Sequence, residues 1–140
     1  MHTPPPMNTS NNQQLVIKIS DTVIHARPLA TETAQALLEA LPWTARIQTW
    51  GDEIFFKLPL DIEPEAEARD VVEAGELAYW PDGGCVAIGF GPTPASRGEE
   101  IRLVAPVNIW GTAAPGAVRQ LKAATAGDTV SMEIANAGET

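Results

Sequence analysis

The sequence predicts a mainly β protein: a closed antiparallel barrel of eight strands, with two short helices closing its ends. Short apolar runs recur along the chain between turns rich in glycine, proline and aspartate, a spacing typical of barrels. Within the runs, apolar residues occupy every second position, which places them on one face of a strand. The predicted strands are Leu15–Ile19, Val23–Arg27, Trp43–Trp50, Glu53–Leu58, Glu76–Trp80, Cys85–Phe90, Ile101–Trp110 and Thr129–Ile134.

The first hairpin and the first helix follow from local signals. Leu15–Ile19 alternates apolar and polar residues, and a turn at Ser20 precedes the return strand. A helix is expected over Thr31–Leu41, because Thr31 can cap its N-terminus and Pro42 stops it. Its apolar residues lie at helical spacing and form a stripe that we expect to cover one end of the barrel.

The second hairpin turns at Gly51-Asp52 and leads into an acidic segment, Pro59–Glu73. This segment carries several carboxylates but lacks the glycine that a calcium loop uses for its sharp turn. We therefore expect a solvated connector, with a helical turn through Glu65–Val72, and not a cation site.

The central stretch, Gly75–Gly111, is predicted to be a meander of three strands and the core of the fold. In its middle strand, Cys85–Phe90, one face carries Val, Ile and Phe side chains and the other carries only Cys, Ala and Gly. Something bulky must lie close against the small face, or the strand is buried on both sides. A second helix is expected over Ala117–Ala124.

The chain length and the net charge limit the number of domains and the classes of partner. The chain has 140 residues, which suits one domain, and we assign it to residues 15–135, between a disordered tail at 1–14 and a short tail at 136–140. A net charge of −9 argues against nucleic acid and anionic membranes as partners. Neither a signal-peptide pattern nor an apolar run of bilayer length occurs, so a cytoplasmic location is expected. The sequence does not indicate an oligomeric state.

No cofactor or metal is predicted. Cys85 is the only cysteine, which excludes an intrachain disulfide and a thiolate metal cluster. It lies among apolar neighbours, where we expect a small buried residue rather than a reactive thiol. The glycine pairs of the sequence do not lie between a strand and a helix, as a phosphate-binding loop requires.

Four motifs resemble those of the small bacterial and archaeal cyclophilin-like proteins. In order they are Thr49–Phe56, Gly75–Pro81, Phe90–Pro94 and Pro106–Gly111. The resemblance extends from Leu15 to Ile134, nearly everything outside the two tails. It implies a cyclophilin-like barrel of eight strands with helices closing its ends, in agreement with the strands counted above.

The resemblance also implies a site. True cyclophilins are prolyl isomerases in which an arginine donates to the prolyl amide and so lowers a rotation barrier of about 18–20 kcal/mol. Arg46 is the candidate for that catalytic arginine, and its alternative role is that of an ordinary solvated strand residue. The predicted ligand cleft is lined by Trp50, Glu53, Phe55, Tyr79, Phe90, Pro92 and Thr93.

Several of these features have structural alternatives. Aromatic side chains also fill small barrels, and we expect Trp80 and Trp110 to do so, with Trp50 as the best candidate for a cleft wall. The two prolines of 91–94 can simply stiffen a connection. Asn108 is expected to hydrogen-bond to a neighbouring turn.

Three functions therefore stay open. The first is a domain that binds a peptide or a small molecule in a surface cleft, with Arg46 and Glu53 as its polar contacts. The second is a prolyl isomerase that uses Arg46 as the donor. The third is a structural or interaction subunit, which would present an exposed apolar patch instead of a cleft.

Overall fold

The computed structural model describes residues 13–135. The strands are β1 (Gln14–Ile19), β2 (Thr22–Pro28), β3 (Trp43–Arg46), β4 (Gln48–Thr49), β5 (Glu53–Lys57), β6 (Arg69–Val72), β7 (Glu76–Trp80), β8 (Cys85–Gly89), β9 (Ile101–Ala113) and β10 (Thr129–Ala135). The helices are α1 (Glu32–Ala40), α2 (Pro115–Arg119) and a 3-10 helix, Gln120–Ala123. The predicted tails lie outside the described residues, except for Gln13 and for Gln14, which already belongs to β1.

The strands form an antiparallel barrel, as predicted. Their order round the sheet is β3, β10, β1, β2, β9, β7, β8, β5, β4. Only Ile47 separates β3 from β4, so one extended segment pairs with β10 at one edge of the sheet and with β5 at the other. Counted as one strand, this segment gives eight strands round the barrel, and β6 pairs with β9 outside that ring.

The barrel interior holds the main apolar core. Alternation along β1, β5, β7, β8 and the second half of β9 directs one set of side chains inward, and the largest of these are Trp110, Tyr79 and Phe56. Both polar aromatic groups have partners there: the Trp110 indole donates to the Ala78 carbonyl (3.0 Å), and the Tyr79 hydroxyl donates to the Leu58 carbonyl (2.8 Å). The interior is therefore closed by packing and by satisfied hydrogen bonds.

A second apolar layer covers the outside of the barrel at β7 and β8. The first half of β9 pairs with β6 instead of with the ring, and we call these two segments, Arg69–Val72 and Ile101–Val107, the outer ribbon. Its Val72, Ile101 and Leu103 side chains pack on the outward-facing alanines of β7 and β8. The expectation that something bulky covers the small face of β8 is confirmed, since a Cβ built on Gly89 would lie 2.5 Å from Ile101 Cγ2.

The acidic segment differs from its prediction, because β6 is a strand and not part of a helical turn. Val72 is buried between the ribbon and the barrel. Ion pairs fix the flanking charges: Asp70 with Arg102 on β9 (2.9 Å) and Arg69 with Glu76 (2.6 Å). Burial of a β-branched residue against a neighbouring strand outweighs the helical preference of the alanine and glutamate residues before it.

The rest of the acidic segment is tied to the barrel through Asn108. The Asn108 amide donates to the Thr33 hydroxyl (3.0 Å) and to the Glu63 carbonyl (3.0 Å), and its oxygen accepts from the Glu65 backbone (2.8 Å). This buried side chain therefore has the structural role expected for it, although its partners are a helix and a connector as well as a turn.

Both helices lie close to their predicted positions. Thr31 caps α1, where its hydroxyl accepts from the Ala34 backbone (3.0 Å), and the leucines of α1 enter the inner core. The second helix begins two residues before the predicted Ala117 and tightens into a 3-10 turn after Arg119. Within residues 13–135, none of the helices combines the length and apolarity that crossing a bilayer requires.

Candidate functional site

A cavity of about 230 Å³ opens on the outer face of the barrel, beside the outer ribbon. We call it the outer cavity. It is lined by Trp50, Glu53, Phe55, Trp80 and Val104. Three of these are aromatic, one is acidic and none is basic. Val104, in the irregular part of the ribbon between Arg102 and Val107, leaves 57% of its surface exposed.

Strand alternation directs two of the lining residues outward from β5. Ile54 and Phe56 belong to the inner core. Glu53 and Phe55 alternate with them along the strand and therefore face the other side of the sheet. Their partners on β8 have little or no side chain: Glu53 lies opposite Gly89, and Phe55 lies opposite Ala87. The outer ribbon covers this small face of β8, and Phe55 packs against the apolar layer that it forms.

The position of Trp80 depends on the glycine turn that follows β7. A Cβ built on Gly83 would lie 2.2 Å from Trp80 Cε3, so the indole lies directly against the turn backbone. The same turn is closed by a hydrogen bond from the Gly84 backbone to the Trp80 carbonyl (2.9 Å). Gly83 thus sets the place of the indole in the cavity wall.

The turn that carries Trp50 and Glu53 is held by the loop after β8. Gly51 adopts a φ of +62°, which favours glycine, and the Trp50 backbone donates to the Glu53 carbonyl (3.0 Å). The Asp52 backbone donates to the Pro92 carbonyl (3.0 Å) and accepts from the Phe90 backbone (2.8 Å). Two of the resemblance motifs, 49–56 and 90–94, are therefore one structural unit.

Two buried polar atoms of cavity-lining residues have no hydrogen-bond partner within the protein, and neither atom is accessible to solvent. They are Glu53 Oε1 and Trp80 Nε1, and no other buried side-chain nitrogen or oxygen among residues 13–135 is without one. Glu53 is 4% exposed, and its burial raises the pKa of the carboxyl group from 4.5 to about 7. Near neutral pH this carboxyl group can therefore act as a hydrogen-bond donor or as an anion.

The outer cavity is chemically suited to bind a ligand, because its walls are aromatic and two of its lining side chains hold a buried polar atom with no partner within the protein. A carboxyl group with a pKa near 7 in an apolar site is also typical of acid–base chemistry. Over residues 13–135, no group of three or more His, Cys, Asp or Glu side chains could hold a metal ion.

The structure brings together three of the predicted cleft residues, Trp50, Glu53 and Phe55. Tyr79 does not join them, because it is fully buried in the inner core. Phe90 also packs against that core, from a half-buried position at its margin.

Pro92, Thr93 and Arg46 lie outside the outer cavity as well. Pro92 lines a different cavity of about 360 Å³, on the other side of its loop. Thr93 is buried, and its hydroxyl donates to the Arg102 carbonyl, so it ties the loop to the outer ribbon. The exposed Arg46 guanidinium donates to the Gly127 carbonyl (3.1 Å) at the seam between β3 and β10.

Trp80 and Val104 are the lining residues that sequence reasoning missed. A signal for Trp80 was present, because Tyr79 and Trp80 are neighbours on one strand and must face opposite sides of the sheet. Once Leu77 and Tyr79 are placed inside, Trp80 is outside. Val104 has no comparable signal, since its position depends on how the outer ribbon folds back.

The comparisons with known proteins agree with this architecture. A family model described as cyclophilin-like matches residues 13–133. The chain belongs to the cyclophilin-like family. None of the curated proteins matches the sequence. Among solved structures, this cyclophilin-like protein is similar to the hypothetical protein AF2241 from Archaeoglobus fulgidus, with 31% identity, a TM-score of 0.77 and coverage of 94% of this chain and 100% of that one.

A more distant structural neighbour is McbB, solved in complex with tryptophan. The likeness has a TM-score of 0.66 at 13% identity, and it covers 91% of this chain but 46% of McbB. At that identity it shows a shared fold. The cyclophilin-like barrel thus recurs as one part of a longer protein.

Proposed function

We propose that this cyclophilin-like protein binds a small organic ligand in the outer cavity. The observation that carries the proposal is the pair of unpartnered atoms, Glu53 Oε1 and Trp80 Nε1, in one largely aromatic wall. A buried polar group without a partner costs about 1–3 kcal/mol. Because both atoms are closed to solvent, the two side chains must turn toward the cavity when a ligand binds. A hydrogen-bond acceptor for Trp80 and a complementary group for Glu53 would then remove both costs.

The size and lining of the cavity limit the ligand. Its volume of about 230 Å³ is below the roughly 300–1,000 Å³ of pockets that hold drug-sized ligands. Trp50, Phe55 and Trp80 supply apolar contact area that is rigid, so little side-chain entropy is lost when a ligand binds. McbB, of the same fold, was solved with tryptophan, which is a precedent for a small ligand in such a protein.

The other two functions have less support. An isomerase acting through Arg46 would need that guanidinium beside a pocket for proline, whereas its hydrogen bond is to the Gly127 carbonyl and it does not line the outer cavity. An interaction subunit would present a broad apolar patch. The large apolar side chains exposed within residues 13–135 are Val23, Val104 and Ile134, and Val104 belongs to the cavity.

The indole N–H resonances in NMR spectra of ¹⁵N-labelled protein test the proposal. A set of small soluble fragments should include neutral, cationic and anionic members, such as indole, choline and phenylacetate. We expect at least one fragment to shift the Trp80 and Trp50 resonances in a saturable way. Trp43 and Trp110 are internal controls, because their indoles already donate to the carbonyls of Lys57 (2.7 Å) and Ala78 (3.0 Å).

A matched pair of variants completes the test. Trp80→Phe removes the unpaired donor but keeps an aromatic wall, and we expect it to weaken binding of every fragment that shifts Trp80. Arg46→Ala removes an exposed arginine outside the cavity and should leave binding unchanged. Fragments that leave Trp50 and Trp80 unmoved throughout, or that shift all four tryptophans alike, would overturn the proposal.

A further inference from the structure

We infer that the ligand of the outer cavity is a small organic cation, an alkylated ammonium group with a hydrogen-bond acceptor a few bonds away. This inference rests on the proposed function and narrows the class of ligand. The ammonium group would lie against the aromatic wall beside the Glu53 carboxylate. The acceptor, a hydroxyl or carbonyl oxygen, would take the Trp80 indole hydrogen.

The first argument is the composition of the wall. Trp50, Phe55 and Trp80 are combined with one acid and with no Lys, Arg or His. The faces of aromatic rings carry negative potential and attract cations, and cages of aromatic residues recognise methylated ammonium groups in proteins. An anionic ligand would instead meet a carboxyl group with nothing basic to offset it.

The second argument is that Glu53 has no counter-ion. Burial is the cause of its raised pKa, so no neighbouring charge holds the carboxylate. Lys57 projects from the same face of β5, but its ammonium group donates to the Gly83 carbonyl (2.9 Å). On the outer ribbon, Arg102 is paired with Glu100 (2.6 Å) and Asp70 (2.9 Å). A cationic ligand would supply the missing charge.

The other groups near Glu53 do not replace a ligand. On β8, Gly89 and Ala87 lie opposite Glu53 and Phe55, and the next residue on that face is the buried Cys85 thiol, whose pKa is raised by burial. Asp52, adjacent in sequence, faces away and pairs with Lys122 (3.3 Å). The outer ribbon contributes only the apolar Val104 to the cavity lining.

The net charge of the whole protein also favours a cationic ligand. A net charge of −9 raises the local concentration of cations around the surface and lowers that of anions. This long-range field does not select a site, but it favours the same class of ligand as the cavity wall does.

A cation and a neutral ligand predict opposite pH dependences. A cation binds to ionised Glu53, whereas a neutral amide or alcohol binds equally well or better when the carboxyl group is protonated. The apparent affinity for a cation is proportional to the fraction of protein in which Glu53 is ionised. A cation should therefore bind about tenfold more tightly at pH 8 than at pH 6, and its binding should release protons from Glu53. A neutral ligand should show no gain over that range.

The experiment compares choline with its neutral isostere, 3,3-dimethylbutan-1-ol, on the wild-type protein. Both carry the same branched head and a hydroxyl oxygen, so they differ essentially in charge. Titrations followed at the Trp80 and Trp50 indole resonances give both dissociation constants at pH 6 and pH 8. We expect choline to bind at least tenfold more tightly at pH 8 and the difference to shrink at pH 6.

Glu53→Gln is the matched variant, since it keeps the shape of the side chain and removes the charge. We expect it to remove the pH dependence and most of the preference for choline, while both compounds still reach the cavity and the aromatic wall still attracts a cation. Equal or stronger binding of the neutral isostere to wild-type protein would overturn the inference. So would binding of neutral fragments such as indole without binding of choline, although the proposed function would then stand. Failure of every compound to move Trp50 and Trp80 would overturn both.

Discussion

The polar side chains on the two faces of the barrel wall differ in whether their hydrogen bonds are made within the protein. On the inner face, the Tyr79 hydroxyl accepts from the Leu60 backbone (2.8 Å) and donates to the Leu58 carbonyl, and the Trp110 indole also has a carbonyl partner. On the outer face, Glu53 Oε1 and Trp80 Nε1 are buried without any partner. A polar group whose bonds are all made within the protein serves the fold, whereas an unpaired one beside a cavity becomes available to a ligand when its side chain turns toward the cavity.

The largest expected effect contrasts one tryptophan on each face. Trp110→Ala should lower the free energy of unfolding by about 3–5 kcal/mol, because it leaves a cavity in the inner core and an unpaired Ala78 carbonyl. Trp80→Ala should lower it by about 1 kcal/mol, since that indole is partly exposed and loses no hydrogen bond. Urea denaturation followed by circular dichroism measures both. Equal losses would mean that Trp80 belongs to the core.

The next prediction concerns the pH dependence of the free energy of unfolding, which Glu53 on the outer face should alter. Burial raises the pKa of Glu53 in the folded protein to about 7, so ionisation of this carboxyl group costs stability as the pH rises from 4.5 through 7. From pH 4 to pH 8.5, wild-type protein should lose about 3 kcal/mol relative to Glu53→Gln, since one pKa unit corresponds to 1.36 kcal/mol. The measurement is urea denaturation of both proteins across that range.

Glu133→Gln is the control for this prediction, because Glu133 is exposed on β10. Its stability should follow that of wild-type protein at every pH. If Glu53→Gln also follows wild-type protein, the Glu53 carboxyl group is solvated or paired in solution, and the contrast between the faces is lost.

The smallest effect on stability comes from Gly83→Ala, but it should alter the outer cavity. An added Cβ would overlap the Trp80 ring, so the indole must move while the inner core is untouched. We expect fragment affinity to fall about tenfold, which is 1.4 kcal/mol. Gly116→Ala is the matched control, because a Cβ there would meet nothing within 4 Å. Unchanged fragment affinity in Gly83→Ala would show that the position of the Trp80 indole does not determine ligand binding.

The sequence predicted the inner face well because alternation is a property of single strands. The period of two in β1, β5, β8 and β10 identified the residues that fill the barrel, and Thr31 and Pro42 marked the first helix. The same alternation also indicated that the small face of β8 must be covered. The family motifs then identified the turn that carries Trp50 and Glu53.

The outer face was predicted only in part, because it depends on contacts between distant segments. β6 is short and follows a run of acidic residues, so its partner on β9 is what makes it a strand. The position of Val104 depends on that pairing. Tyr79 and Phe90 were expected in the cleft because the motifs are aromatic, but composition does not say which face of a strand an aromatic side chain occupies.

The titration of Glu53 tests the central claim most directly. Its side-chain carboxyl resonance can be followed by ¹³C NMR in wild-type protein without ligand and assigned by comparison with Glu53→Gln. We expect a pKa of about 7, as a buried and unpartnered carboxyl group requires. A pKa at the ordinary value of a glutamate in water would contradict the claim, because the group would then already have the solvent or the partner that we assign to a ligand.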